Sequence, residues 1–285
     1  MTAHDDRELV TARLARAGFV ASDEEAGELV ACAGGDRELL ESLVERRLTG
    51  EPLAYVTGRL MFCGYEIRVD PGVYVPRWQS EALAQRAVER LPHDGAAIDI
   101  CTGTGAIAKT LVVEHPGARV LATDIDERAV ACARANGVDA YVGDLFAPVP
   151  SELEGEVDVV VGVVPYVPTP ELRLLQRDTF TFESPLSYDG GADGTDILRR
   201  AITDSTRFLR RGGGLLLELG GEQADLLRDD LARLGYADAR VLTDEDGDVR
   251  GIEATFAQAA TSTSSVTSAP GSGDEKTIAP SSIGP

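Results

Sequence analysis

Residues 96–124 read AAIDICTGTGAIAKTLVVEHPGARVLATD. The apolar run Ala96 to Ile100 predicts a short strand. Thr102 to Gly105 follows as a glycine-bearing turn, 106–114 as a helix, Pro116-Gly117 as a turn, and the next apolar run as a second strand ending at Asp124. A right-handed crossover makes two such strands parallel neighbours. Gly103 and Gly105 allow a sharp turn and close approach of a ligand to the backbone, because neither carries a side chain. Asp124 falls at the carboxyl end of its strand, where a short carboxylate can accept hydrogen bonds from two ribose hydroxyls. The stretch therefore predicts a nucleoside-containing ligand.

Downstream the order stays regular. A helix is expected over 127–136, closed by Gly137, then a strand over 140–142 followed by Gly143-Asp144, a strand over 157–161 and a long loop from 162 to about 193. A helix over 196–209, stopped by Gly212-Gly213-Gly214, leads to a strand over 215–219. A helix over 223–234, a strand over 239–243, an acidic turn over 244–248 and a strand over 251–256 complete the pattern. Such alternation predicts the α/β class, a doubly wound Rossmann-like sheet with helices on both faces and an antiparallel edge hairpin.

Upstream, residues 1–50 carry helix periodicity and predict a small helical N-terminal domain. Leu9, Leu14 and Ala17 share one face of a first helix, Ser22 and Glu25 form a capping box for a second, and Leu39, Leu40, Leu43 and Val44 point inward from a third over 36–48. Residues 51–76 read as a β-hairpin linker around Gly64 and Asp70-Pro71-Gly72. Helical periodicity returns over 77–91 and opens the main domain, 77–257. Residues 258–285, rich in Ser, Thr, Pro, Gly and Ala, cannot bury a core and are expected to form a disordered tail.

With 285 residues, 43% of them hydrophobic, the chain can bury a substantial core. Its formal net charge of -21 argues against general affinity for nucleic-acid phosphates or anionic membranes. Lys109 and Lys276 are the only lysines, which reads as codon bias rather than function. Cys32, Cys63, Cys101 and Cys132 form no C-x-x-C pair, so no metal site is expected and free thiols in a reducing compartment are. The polar, acidic first residues are unlike a signal peptide and no apolar run reaches the roughly 20 residues of a bilayer span, so a cytoplasmic location is expected.

Gly103-x-Gly105-x-x-Ala108 also fits a dinucleotide fingerprint. The acidic series Asp99, Asp124 and Asp144, at successive strand ends, narrows it. Three carboxylates would repel the pyrophosphate that a dinucleotide places at the helix N-terminus. They suit S-adenosylmethionine, with Asp99 toward the cationic methionine end, Asp124 toward the ribose and Asp144 toward the adenine amine. Capping is the structural alternative for such acids. The candidate cofactor-binding residues are Asp99, Cys101, Thr102, Gly103, Thr104, Gly105, Asp124, Ile125, Asp144 and Leu145.

Gly162-Val163-Val164-Pro165-Tyr166 follows the fourth strand of the unit. Together with EPLAYVTG, VPRWQSE, DICTGTGAIA, GDLF, FESPLSYDGGADG and GGGLLLELG, it makes residues 51–256 resemble the HemK/PrmC group of S-adenosylmethionine-dependent methyltransferases. That group methylates the side-chain amide of glutamine in peptide release factors, using an Asn-Pro-Pro-Tyr motif whose asparagine holds the carboxamide. The resemblance implies roles in transfer for Val163, Val164, Pro165 and Tyr166, and in acceptor binding for Arg77, Trp78, Val163, Tyr166 and Glu183. Two departures point to a changed acceptor. Valines occupy the asparagine and first proline positions, and Trp78-Gln79 replaces Pro-Asp. Cys101 stands where glycine is usual. The resulting expectation is a methyltransferase for a diverged small-molecule or peptide acceptor, on nitrogen or oxygen. Methylation of release-factor glutamine is the alternative, a non-catalytic cofactor-binding regulator the next, and a dehydrogenase the last. Tyr166, Glu183 and Asp189 are candidates for a base, while His93 and His115 read as surface residues.

Overall fold

The computed structural model describes residues 3–175 and 181–257; the predicted tail lies outside them. Helices α1 (Ala3–Arg16), α2 (Ser22–Ala33), α3 (Arg37–Leu48) and the short α4 (Leu53–Thr57) come first. They bury their own core of Val10, Leu14, Leu29, Leu43, Val44 and Val56. Three local readings are corrected here. Leu9 and Leu39 are exposed, so the inward face of each helix is narrower than the sequence pattern implied. The capping box is absent: Ala21 is the N-cap of α2, without a side-chain cap, because Glu25 instead takes two hydrogen bonds from the Arg47 guanidinium at 2.7 and 3.0 Å. Asp36, by contrast, does cap α3, accepting from the backbone of Glu38 and Leu39.

The linker holds α4 and a hairpin of β1 (Arg59–Phe62) with β2 (Tyr65–Arg68), turned at Cys63-Gly64. Asp70-Pro71-Gly72 is a plain turn rather than part of a strand pair. After one 3-10 turn at Trp78–Ser80, α5 (Glu81–Arg90) leads into the sheet.

The sheet contains β3 (Ala96–Ile100), β4 (Arg119–Asp124), β5 (Ala140–Val142), β6 (Val157–Gly162), β7 (Leu209–Glu218), β8 (Tyr236–Thr243) and β9 (Val249–Phe256) in the order β5-β4-β3-β6-β7-β9-β8. The first five in that order run parallel, and β9 and β8 close the edge as the expected antiparallel hairpin. Helices α6 (Ala106–Glu114), α7 (Glu127–Ala135), α8 (Asp196–Ser205) and α9 (Gln223–Arg233) supply the crossovers. Each face of the sheet has its own apolar layer, one around Ile98, Leu121, Val160 and Leu217, the other around Ala97, Ala122, Val161 and Leu216. That alternation along each strand is what burial on both faces demands.

β7 begins earlier than its sequence suggests. Gly212–Gly214 lies inside the strand and α8 ends at Ser205, because the glycines make an irregularity instead of a stop. Gly212 has φ +83°, and the pairing with β6 jumps from Val157–Leu209 to Val159–Gly214.

The order reverses direction between β3 and β6, where the crossovers leave on opposite sides. A doubly wound sheet opens its crevice at the carboxyl ends of the strands there. Ile100, Gly162 and Leu217 stand level in the pairing of β3, β6 and β7, so the segments after them share one edge. Among the described residues, no helix is long and apolar enough to cross a membrane.

Candidate functional site

The loop after β3 is held by the protein's own acids. Asp99 is buried under it and accepts from the Thr102 hydroxyl at 2.5 Å and from the Ala108 N–H at 3.2 Å. It therefore takes one of the N-terminal donors of α6, in the region where a pyrophosphate would have to sit. Its position is beneath the loop rather than out in the crevice. Burial pushes its carboxyl pKa up to about 7, against the two hydrogen bonds, which pull it down.

Gly105, at φ +79°, is the N-cap of α6. A Cβ there would stand 2.9 Å from that of Ala133, so glycine is needed both for the conformation and for the approach of α7. Gly103 has φ +57° and donates its N–H to Asp124 Oδ2 at 2.9 Å. The other oxygen of Asp124 accepts from Asp126 N, also at 2.9 Å, which fixes the carboxylate at the tip of β4. Burial holds its pKa above the usual carboxylate range.

A cavity of about 500 Å³ opens beside this carboxylate, lined by Tyr74, Cys101, Gly103, Asp124, Ile125, Val163 and Pro165 among others. A pocket of about 30 Å³ continues beneath it, between Asp99, Cys101, Thr102, Thr104 and Val163. The hydroxyl of Thr104, buried in that pocket's wall, has no hydrogen-bond partner. An adenosine with a short zwitterionic arm fits this set. It would use a carboxylate at a strand tip, a space within the usual range of roughly 300–1,000 Å³ and an unsatisfied hydroxyl at the inner end. Among the described residues, the only cation lining the larger cavity is Arg128, and it is paired with Asp126 at 2.7 Å.

Not every expected cofactor residue lines these spaces. Asp144 is exposed and paired with Arg200 at 2.6 Å, and Leu145 is buried in the core with φ +48°. Gly105 acts through packing. Cys101 lines both cavities with φ +53°, a conformation that costs a residue bearing a Cβ, and burial raises its thiol pKa.

A third cavity, of about 1,050 Å³, meets the first at Tyr74, Val163 and Ser187. Its walls come from the helical segment (Arg47, Gly50, Pro52), the turn before α5 (Arg77, Gln79), Val163, Val164, Tyr166 and Val167, Glu183, Ser187 and Tyr188, the end of β7 and the hairpin turn at 247–250. Glu183 is buried, accepts from Arg77 at 2.7 Å and takes the Tyr188 hydroxyl on its other oxygen. The Arg77 guanidinium also stands over the Tyr74 ring, 5.1 Å from its centre. Tyr166 donates to Glu218 Oε1 at 2.9 Å, and burial foremost raises its phenol pKa. Val163 is half-buried at the junction, whereas Val164 is buried in the core with only an edge on the cavity. Trp78 is exposed and lines none of these cavities; its neighbour Gln79 does. Asp189 lies outside the cavity, bonded to Thr169 at 2.6 Å.

Sequence reasoning passed over four residues. Tyr74 divides the cavities. Ser80 and Glu218 form a buried pair at 2.5 Å. Asn136, read only as a helix end, ties three segments by accepting from Arg68 N and donating to the carbonyls of Arg68 and Thr104. Glu218 had a visible signal, a lone charge ending the apolar run GGGLLLE.

Residues 64–162 match the family model of the methyltransferase small domain. A release factor glutamine methyltransferase of Geobacter sulfurreducens is 34% identical over 226 residues, 77% of this chain and 76% of its own length. One from Moorella thermoacetica is 38% identical over 216 residues, 72% and 75% of the two chains. Among solved structures, a methyltransferase from Pyrococcus furiosus covers 75% of this chain and 98% of its own with a TM-score of 0.51 at 19% identity, a likeness of fold. Fold, site and relatives define an S-adenosylmethionine-dependent methyltransferase. More narrowly, the chain belongs to the release factor glutamine methyltransferase family, the HemK/PrmC group.

Proposed function

We propose that this methyltransferase acts on an acceptor other than the release-factor glutamine carboxamide, and that Val163 makes the difference. One observation carries this reading. Val163 lines both the cofactor cavity and the acceptor cavity, at the position where the family's asparagine holds the carboxamide. An isopropyl group neither donates nor accepts a hydrogen bond. A glutamine carboxamide brought there would leave buried polar atoms unpaired, at about 1–3 kcal/mol each.

S-adenosylmethionine supplies a methyl group already activated on a sulfonium. The residues' work is then to position and to exclude water. Asp124 would hold the ribose hydroxyls, Thr104 and the Asp99–Thr102 pair the methionine end, and Ile125 the adenine face. Tyr74, Val163 and Pro165 would form the collar through which methyl carbon and acceptor meet. The larger cavity accommodates a peptide segment or a small molecule.

A second reading, methylation of release-factor glutamine, is favoured by the names of the relatives, at 34–38% identity over about three-quarters of the chain. Incubating wild-type protein and S-adenosylmethionine with a release factor, followed by peptide mass spectrometry, separates the two. Only slow, inefficient methyl gain at the glutamine is expected. Efficient methylation there refutes the diverged acceptor.

A further inference from the structure

Among the described residues, the acceptor cavity is lined by three arginines, and each is already paired. Arg47 contacts Glu25 at 2.7 Å, Arg77 contacts Glu183 at 2.7 Å, and Arg250 contacts Asp244 at 2.6 Å and Asp248 at 3.3 Å. Glu218 is different. It is 5% exposed, lines the same cavity, and receives only neutral donors, Ser80 Oγ on one oxygen at 2.5 Å and Tyr166 Oη on the other at 2.9 Å. A carboxylate offers about four acceptor positions, so two hydroxyls leave room for a further donor. Leu217 pairs with Gly162, which brings Glu218 level with Val163, one of the residues shared with the cofactor cavity.

We propose that Glu218 anchors and deprotonates the acceptor, and that the acceptor is a primary or secondary amine entering as its ammonium ion. This rests on the diverged-acceptor reading and names its substrate class. A buried carboxylate without an ion-pair partner is costly unless a cation joins it. An ammonium supplies that charge together with a charge-assisted hydrogen bond, which a carboxamide cannot. Val163 then needs no polar group, since it packs on the carbon beside the nitrogen.

In the step itself Glu218 takes one proton from the ammonium and leaves the nitrogen with its lone pair. The nitrogen forms a bond to the methyl carbon as the carbon–sulfur bond breaks, and that electron pair stays on sulfur, giving a thioether. The product leaves as a methylated ammonium, and Glu218 returns its proton to solvent. Burial, the largest influence on Glu218, raises its proton affinity and so favours the transfer, while Ser80, Tyr166, Arg250 and Arg77 oppose it. Among the described residues, Arg47, Tyr74, Glu183, Tyr188 and Asp248 are the other titratable groups that line the cavity.

The test uses the full chain saturated with S-adenosylhomocysteine, titrated calorimetrically with n-hexylamine and with hexanamide of matched size. Hexylamine is expected to bind more tightly than hexanamide. Glu218→Gln is expected to weaken hexylamine by about thirtyfold or more and to leave hexanamide within about twofold. Equal binding of the two probes, absence of hexylamine binding, or indifference to Glu218→Gln overturns the proposal. Should Glu218→Gln lose cofactor binding or cooperative melting, Ser80→Ala replaces it. Removing that hydroxyl raises the proton affinity of Glu218, so the acid midpoint of hexylamine binding must move to higher pH; an unmoved midpoint overturns the proposal. Efficient wild-type methylation of release-factor glutamine would instead remove the reading on which the proposal stands, so the two failures are distinguishable.

Discussion

Replacing Asp124 with alanine should abolish most of the cofactor affinity while leaving the fold intact. The carboxylate accepts from Gly103 N and Asp126 N, each at 2.9 Å, and is half-buried at the tip of β4. A hydrogen bond to a charged acceptor contributes about 1.5–3 kcal/mol, and partial exposure places each ribose contact at the lower end. Losing two ribose contacts then costs about 3 kcal/mol, a dissociation constant about 150-fold weaker. Asp124→Asn, which keeps one acceptor oxygen, should fall between, at roughly tenfold. Calorimetric titration with S-adenosylmethionine measures both. Protonation adds a second signature. Burial raises the Asp124 pKa in the free protein, and binding requires the ionised form, so affinity must fall as pH drops through that raised value. An alanine variant that binds within about threefold of wild type refutes the assignment of ribose to this carboxylate.

Other expectations concern the loop beneath the cofactor. Asp99 holds its proton up to about pH 7 in the folded protein, whereas the unfolded chain releases it near pH 4. The folded state therefore binds more protons across that window, and stability must decline as pH rises from about 4 to 7 and then level off. Asp99→Asn should flatten the decline and gain up to about 4 kcal/mol on wild type above pH 7, read from thermal unfolding at pH 5 and pH 8. Thr104→Val removes a buried hydroxyl without a partner and should stabilise the cofactor-free protein by about 1 kcal/mol while weakening S-adenosylmethionine binding, both measurable by melting with and without cofactor. Gly105→Ala meets Ala133 at 2.9 Å and demands φ +79° of a residue with a Cβ, so a loss of about 2 kcal/mol or more is expected in denaturant titration.

The sheet was legible in the sequence because its strands are short apolar runs punctuated by glycines and ended by acids, and periodicity reports burial directly. The glycine run before Leu215 misled, since a glycine irregularity inside a strand and a helix stop have the same local composition. The capping box failed for another reason: Glu25 has a tertiary partner, Arg47, some twenty residues away, and no local rule includes it. In the site, Asp124 and Gly103 were readable from their place after a strand. Asp99 and Asp144 looked equivalent to Asp124, yet one turns inward to α6 and the other outward to Arg200. Side-chain direction at a strand end depends on what the neighbouring crossover offers, which spacing does not encode. Glu218 and Tyr74 belong to the cavity only because β7 and the linker converge on the 163–166 segment, a long-range coincidence.

The methyl donor is read from the loop after β3, and the proposed change of acceptor rests on Val163, just after β6. Rates of methyl transfer to a release-factor glutamine by wild type and by Val163→Asn, measured side by side, probe that position most directly. Restoring the amide partners should raise the rate by about 5- to 150-fold, the equivalent of 1–3 kcal/mol. Equal rates for the two proteins contradict the claim that Val163 sets the acceptor.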